Sequence, residues 1–326
     1  MPTSRKVIID SIGPPEVMSV VTEDIPAPAS GEVQVRHSAI GFNFIDTYQR
    51  SGAYPIELPT GLGFEAAGRV EDVGAGVTDI KAGDRVAYMN AGIGAYTDLR
   101  NVPGDKLVLL PDSISDEAAA ALLFKGMTAQ YLVRKTHAVQ QGDLLLVHSA
   151  AGGVGQILTR WATALGATVV GTTTSPGKRD TALDTGCIDV IDTNDANWPQ
   201  AFLKATDGRK ARVVYDAVGK ATLLKSLECA APFGLVVCYG AASGRAPAVD
   251  PELLNKNGCL YLTRPSVFPH NADPETFREN AADLFDAINK GHVEVEIGAR
   301  FSLDQIVEAH RVAENRQVTG AIVITP

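Results

Sequence analysis

The sequence predicts a two-domain α/β chain, in which a mostly antiparallel β domain is followed by a doubly wound parallel sheet. After Gly142, continuous apolar strands alternate with helices, a pattern typical of a parallel sheet covered on both faces. Before Pro111, the chain is instead rich in glycine and proline and contains short alternating strands, of which Glu32–Ile40 is the clearest. The length of 326 residues allows each domain its own core.

Composition narrows the class of protein. The formal net charge of −9 opposes non-specific binding to nucleic acid, and 45% hydrophobic residues indicate a globular chain. No apolar run reaches the roughly 18 residues that cross a bilayer, and residues 1–10 lack the apolar stretch of a secretory signal. The cysteines are widely spaced, which predicts a reduced, cytoplasmic chain without disulfides; they are Cys187, Cys229, Cys238 and Cys259.

The order of elements predicts that the first domain is interrupted in sequence. Ser115 can cap a helix that leads into the parallel sheet. Near the end of the chain, residues 302–305 form a capping box for a last helix, and residues 321–324 form a closing strand. We expect this strand to pack with the first domain. The predicted boundaries are therefore 1–124 together with 267–326 for the first domain, and 125–266 for the second.

The most informative segment runs from Leu144 to Gly171. A strand ends at Ser149, the glycine-rich turn Ala150–Gly155 follows, and an amphipathic helix and a second strand complete one βαβ unit. This is the dinucleotide fingerprint with Ala150 in place of the first glycine. Gly152 and Gly153 with Val154 would bring backbone N–H groups to a pyrophosphate at the helix N-terminus. The alternative interpretation is a glycine-rich turn that binds no ligand.

The residues after the second strand favour NADP(H) over NAD(H). An NAD site places a carboxylate on the ribose about 20 residues after the loop, but the first carboxylate here is Asp180. Ser175, Lys178 and Arg179 lie there instead, and a hydroxyl with two cations suits a 2′-phosphate. Alternatively, Ser175 only caps the helix at Pro176 while the two cations are solvated.

The chain lacks the ligands of a catalytic zinc site, so no metal-binding residue is assigned. The four cysteines all follow residue 186, and neither Gly41–Asp46 nor Gly63–Glu65 contains a cysteine or histidine. Without a Lewis acid the acceptor must need less polarisation. Quinones and other conjugated carbonyl compounds fit, because delocalisation spreads the arriving charge.

These features together resemble the zinc-free quinone oxidoreductase branch of the medium-chain dehydrogenase/reductase family, the zeta-crystallin-like enzymes. The resemblance spans nearly the whole chain. Its most specific parts are residues 43–54, Gly63–Gly68, Lys125–Ala129, Ala150–Gly155 and Thr263–Ser266.

The resemblance implies a GroES-like catalytic domain, a Rossmann cofactor domain and an active cleft between them. It also implies a homodimer, with residues 259–263 as the edge strand. The cofactor contacts it implies are Phe44, Ile45, Asp46, Thr47, Tyr48, Thr128, Gly152, Gly153, Val154, Ser175, Lys178, Val218, Tyr239, Gly240 and Arg316.

Several of these residues have alternative structural explanations. Asn43 and Tyr48 are candidates to position the nicotinamide and the acceptor, and Tyr54 could form a stacking wall. Alternatively, Asn43 caps a helix and the two tyrosines only pack. Lys125 could reach a cofactor phosphate or a helix C-terminus. Arg316 could be a favourable charge at the end of the last helix.

The sequence-based interpretation is an NADPH-dependent quinone reductase acting without flavin or metal, by hydride transfer or by overall one-electron chemistry. An alternative is an NADPH-dependent reductase of α,β-unsaturated aldehydes or ketones. A third class, an NADPH sensor or RNA-binding protein, is opposed by the acidic total and the lack of a dense Lys/Arg run.

Overall fold

A computed structural model describes residues 1–294, 296–315 and 317–326 of the chain. The chain divides into two compact units. The first unit comprises residues 1–127, 270–289 and 295–326, and the second comprises residues 128–269 and 290–294.

Strands and helices alternate regularly along the second unit, whereas they follow no regular order in the first. The strands of the described residues are β1 Thr3–Ile9, β2 Met18–Asp24, β3 Glu32–Gly41, β4 Thr60–Gly61, β5 Glu65–Val73, β6 Arg85–Tyr88, β7 Leu99–Pro103, β8 Val108–Leu109, β9 Leu144–Val147, β10 Thr168–Thr173, β11 Cys187–Asp192, β12 Ala211–Asp216, β13 Ala230–Cys238, β14 Tyr261–Thr263, β15 Ile297–Ser302 and β16 Ala321–Thr325. The helices are α1 Phe44–Arg50, α2 Asp116–Tyr131, α3 Gly153–Ala164, α4 Arg179–Asp184, α5 Trp198–Ala205, α6 Leu223–Cys229, α7 Pro251–Lys256, α8 Val267–His270, α9 Pro274–Asn289 and α10 Ile306–Glu314.

The second unit is built on one parallel sheet. Its six strands lie in the order β11-β10-β9-β12-β13-β14, and every neighbouring pair is parallel. The chain therefore reverses its direction of winding between β9 and β12, which is the strand order of the Rossmann fold. All four residues of β9 are buried, as expected for a central strand covered on both faces.

The first unit is built on antiparallel pairing around β3. This strand pairs with β5 and β7, and the seven-stranded sheet continues through β6 to β8. At the other edge, β16 pairs antiparallel with β3 at residues 40 and 41, and β15 pairs parallel with β16. A smaller sheet has the order β2-β1-β4. The parallel sheet and this antiparallel-rich unit confirm the predicted fold class.

The core of the first unit joins segments from both ends of the chain. Val33 and Val35 of β3 lie in the same buried cluster as Ile306 of α10 and Ile324 of β16. Since the cluster contains side chains from residues so far apart in sequence, the C-terminal segment stabilises the same core as the N-terminal one. No helix among the described residues is long and apolar enough to span a membrane.

The packing of α6 in the second unit provides a matched test of burial. Leu227 is 1% exposed in the core cluster, whereas Leu224 on the same helix is 44% exposed. We expect Leu227→Ala to lower the free energy of unfolding by about 2–5 kcal/mol, because it leaves a cavity. Leu224→Ala should cost under about 1 kcal/mol. Urea unfolding of both variants followed by circular dichroism checks this, and equal losses would contradict the packing of α6.

Candidate active site

The turn between β9 and α3 brings the start of the helix very close to the preceding strand. Ser149 adopts a positive φ of 55°, and the Gly152 N–H donates to the Ser149 carbonyl at 2.8 Å. A Cβ at Gly155 would lie 2.2 Å from that same carbonyl oxygen, so only glycine permits this approach. The N–H of Gln156 makes the first helical bond, to Gly152 at 2.9 Å. The earlier N–H groups of α3 are those that a helix leaves for a cap or an anion.

Apart from Thr128, which lies in α2, the predicted cofactor residues of the second unit follow the carboxyl ends of its strands. Gly152, Gly153 and Val154 follow β9, and the residues that follow β10, β12 and β13 are Ser175, Lys178, Val218, Tyr239 and Gly240. The carboxyl ends of parallel strands lie at one edge of the sheet, and ligands of such sheets bind where the winding reverses. The topology thus places these residues at the carboxyl edge of the sheet, beside the β9–β12 switch point.

Asp216 anchors the loop that carries Val218. One of its carboxylate oxygens accepts hydrogen bonds from the N–H groups of Val218 at 2.8 Å and Gly219 at 2.9 Å. The Ser226 hydroxyl donates to its other oxygen at 2.9 Å and contacts His148 Nε2 at 3.0 Å. His148 is fully buried, and burial lowers its pKa. Through Ser226 it belongs to the buried hydrogen-bond network of Asp216.

The segment after β10 lacks a carboxylate at the place where an NAD site needs one. Ser175 precedes the short 3₁₀ helix Pro176–Lys178, and its N–H donates to the Thr173 hydroxyl at 3.1 Å. The Arg179 guanidinium donates to the Asp189 carboxylate at 2.6 Å and to the Val190 carbonyl, both in β11. The 2′-phosphate role of Ser175, Lys178 and Arg179 stays a prediction.

In the first unit, two buried polar side chains and one half-buried lysine meet where β3 leads into α1. Asn43 is the N-cap of α1, Glu65 begins β5, and Lys125 lies in α2. Asn43 Nδ2 donates to Glu65 Oε2 at 2.7 Å, and Lys125 Nζ donates to Asn43 Oδ1 at 3.0 Å and to the Phe42 carbonyl at 2.9 Å. Within the described residues, Lys125 thus reaches the start of α1 rather than a helix C-terminus. We call Asn43, Glu65 and Lys125 the Glu65 cluster.

Asp46 continues this polar region behind α1. Its Oδ2 accepts from the Asn43 N–H at 2.9 Å and from the Tyr96 hydroxyl at 2.7 Å, and His310 Nε2 lies 3.4 Å from that hydroxyl. Burial raises the pKa of the Asp46 carboxyl to about 7 and lowers that of His310 to about 3. Among the described residues, Asp46 Oδ1 and His310 Nδ1 have no hydrogen-bond partner. Asp46 therefore caps α1 and faces away from solvent, and its predicted role at the site stays a prediction.

The aromatic candidates lie on and after α1. The rings of Tyr48 and Tyr54 are tilted with centroids 5.3 Å apart, and Phe44 is 51% exposed. Thr47 is buried and donates its hydroxyl to the Phe44 carbonyl at 2.8 Å, while Ile45 is half-buried. Thr128 is buried, and Arg316 lies outside the described residues. The roles predicted for all of these residues stay predictions.

Sequence reasoning did not single out Tyr96, His310 or Asp216. Tyr96 is 214 positions from His310, and no local spacing signals such a contact. Asp216 could have been noticed, because it is a carboxylate at the end of an apolar strand next to a predicted cofactor loop. Among the described residues, no group of three or more His, Cys, Asp or Glu side chains could hold a metal ion.

Comparison with known proteins places these features in a family. Residues 29–112 match the alcohol dehydrogenase GroES-like domain, and residues 153–287 match the zinc-binding dehydrogenase domain. A quinone oxidoreductase from Pseudomonas aeruginosa is 44% identical over 99% of this chain and 100% of its own length. A 2-haloacrylate reductase from Burkholderia sp. is 41% identical over 93% of each. The crystal structure of Escherichia coli quinone oxidoreductase complexed with NADPH superposes with a TM-score of 0.95, at 41% identity, and covers 100% of each chain.

The chain therefore belongs to the medium-chain dehydrogenase/reductase family, within its quinone oxidoreductase branch. The name of the second matched domain mentions zinc. The described residues provide no cluster of ligands to match that name.

The raised pKa of Asp46 predicts a pH-dependent stability. Between its ordinary value of 3.8 and about 7, the folded chain keeps a proton that the unfolded chain has released. Stability attributable to this group therefore falls as the pH rises through that window. Asp46→Asn can keep both hydrogen bonds through its amide oxygen while removing the titration. We expect the melting temperature of wild type, relative to Asp46→Asn, to fall steadily from pH 4 to pH 7, whereas a constant difference would contradict the shift.

Proposed function

We propose that the chain is an NADPH-dependent quinone reductase that acts without metal or flavin. The observation that carries this proposal is the row of cofactor-type residues at the carboxyl ends of β9, β10, β12 and β13, beside the switch point of the sheet. Relatives named quinone oxidoreductase at 41–45% identity, one of them solved with NADPH, support both the acceptor and the cofactor.

The second unit fits NADPH by its backbone and its charges. The N-terminal turn of α3 presents N–H groups and the positive end of the helix dipole to the pyrophosphate. Ser175 and Lys178 would hold the 2′-phosphate, which a carboxylate in their place would repel. Val218, Tyr239 and Gly240 would line the site beside them. When bound, NADPH supplies the hydride and so makes a separate redox group unnecessary.

The first unit supplies the proposed acceptor-facing residues. Asn43 Nδ2 carries two hydrogens, and one of them is donated to Glu65 in a hydrogen bond. The second could donate to an acceptor oxygen as negative charge grows there. Tyr48 and Tyr54, with rings in contact, would form an aromatic wall for a flat acceptor. Residues 44–47, Lys125, Thr128 and Arg316 are proposed cofactor contacts, as the family resemblance implies.

A second function is reduction of an activated carbon–carbon double bond. The specific observation that favours it is the 41% identity to a 2-haloacrylate reductase over 93% of the chain. In such a reaction hydride adds to an alkene carbon conjugated to a carbonyl group, so the same nicotinamide and the same polar donors would serve.

We also propose a homodimeric, cytoplasmic protein. Within the described residues, β14 is the last strand of its sheet, and its Tyr261 is 64% exposed, which suits pairing with a partner strand. The four cysteines, all in the described part of the chain, are unpaired, which suits a reducing compartment.

The test is a matrix of acceptors against NADPH and NADH. We expect NADPH oxidation with 1,4-benzoquinone or a naphthoquinone, and slower oxidation with NADH. Turnover only with an enone or 2-chloroacrylate, giving the saturated product by mass spectrometry, would replace the proposal by the second function. Absence of turnover with every acceptor, by protein that is folded by circular dichroism, would contradict both.

A further inference from the structure

Both oxygens of the buried Glu65 carboxylate accept hydrogen bonds. Glu65 is 0% exposed. Its Oε1 accepts from the Phe124 N–H at 2.6 Å, and its Oε2 accepts from Asn43 Nδ2 at 2.7 Å. Lys125 Nζ lies 4.0 Å from Oε2. Burial raises the pKa of Glu65 and lowers that of Lys125, and the charge of each group opposes the shift of the other. The carboxylate therefore ties the start of α1 to the backbone of α2.

The charges on either side of Asn43 determine which way its amide points. A carboxylate can only accept hydrogen bonds, and an ammonium can only donate them. The amide NH₂ must therefore face Glu65, and the amide oxygen must face Lys125. The opposite orientation would place NH₂ against an ammonium and oxygen against a carboxylate. The hydrogen-bonding requirements of Glu65 and Lys125 thus select one of the two orientations of the Asn43 amide.

The backbone at Gly41 makes room for this arrangement. A Cβ at Gly41 would lie 2.4 Å from Glu65 Oε2 and 2.0 Å from the Ala120 carbonyl oxygen of α2. Contacts this short do not occur for real Cβ atoms, so any side chain at position 41 would displace the carboxylate or the helix. The glycine that ends β3 is therefore a steric requirement of the Glu65 cluster.

We propose that Glu65 is a positioning residue. It fixes the orientation of the Asn43 amide, so that the second N–H of this amide is directed at the acceptor. Glu65 acts through Asn43 rather than on the acceptor. The catalytic part of this inference rests on the proposed function, whereas the orientation of the amide does not.

Glu65→Gln is the most direct variant, because it preserves shape but offers one acceptor instead of two. Either the Phe124 N–H or Asn43 then meets an NH₂ group. We expect kcat with a quinone to fall about 10- to 100-fold, the range of a lost oriented donor, with little change in the KM for NADPH. In an Asn43→Ala background, the same substitution should change kcat less than about threefold, since there is no amide to orient. Equal factors in both backgrounds would overturn the positioning role.

A spectroscopic measurement separates this inference from the proposed function. In protein labelled with ¹⁵N-asparagine, the side-chain amide signal of Asn43, assigned by its loss in Asn43→Ala, should show slow hydrogen exchange. It should shift and exchange faster in Glu65→Gln. An unchanged signal would overturn the inference, whatever the enzyme reduces. A shifted signal in protein that turns over no quinone would leave the orientation intact and contradict the function.

Two further variants control for folding. Tyr88→Phe removes a buried hydrogen bond to His37 Nε2, 3.0 Å long, from the same unit. It should lower the melting temperature without changing kcat or the Asn43 signal. If Glu65→Gln does not fold, Lys125→Met removes the donor from the other side of the amide. The Asn43 signal should then shift as well, and an unchanged signal in that variant would contradict the proposed orientation of the amide.

Discussion

The close approach of α3 to the end of β9 is the constraint on which the cofactor-binding unit depends. Gly155 lies so near the Ser149 carbonyl that no Cβ fits between them. The helix therefore begins close to the end of the strand, and the N–H groups of its first turn lie at the carboxyl edge of the sheet. On the other side of the switch point, Asp216 holds the loop after β12 through two backbone N–H groups.

The first unit buries two acidic side chains, and hydrogen bonds compensate for their lost hydration. A buried carboxylate is costly unless hydrogen bonds and an opposite charge compensate for its lost hydration. Glu65 has both, in Asn43 and Lys125. Among the described residues no cation lies within hydrogen-bond distance of Asp46, and burial raises the pKa of its carboxyl to about 7. Asn43 links the two acidic side chains, because its backbone N–H donates to Asp46 and its side-chain amide donates to Glu65.

Local patterns predicted the parallel sheet and the nucleotide turn well, because a βαβ unit is specified by residues adjacent in sequence. The start of α1 was also predictable, since an asparagine before an apolar helix is a common cap. The partners of Lys125 were not, because strand β3 and helix α2 meet only through tertiary packing. The contact of Tyr96 with His310 joins residues 214 positions apart, and Arg179 turned to Asp189 on a neighbouring strand that no spacing rule selects.

The proposed preference for the phosphorylated dinucleotide rests on hydroxyl and ammonium groups in place of a carboxylate after β10. Calorimetric titration of the wild-type chain with NADPH and with NADH measures this preference without any acceptor. Charge-assisted hydrogen bonds to the 2′-phosphate should make NADPH bind at least about tenfold more tightly. Equal or tighter binding of NADH would contradict the assignment of the cofactor.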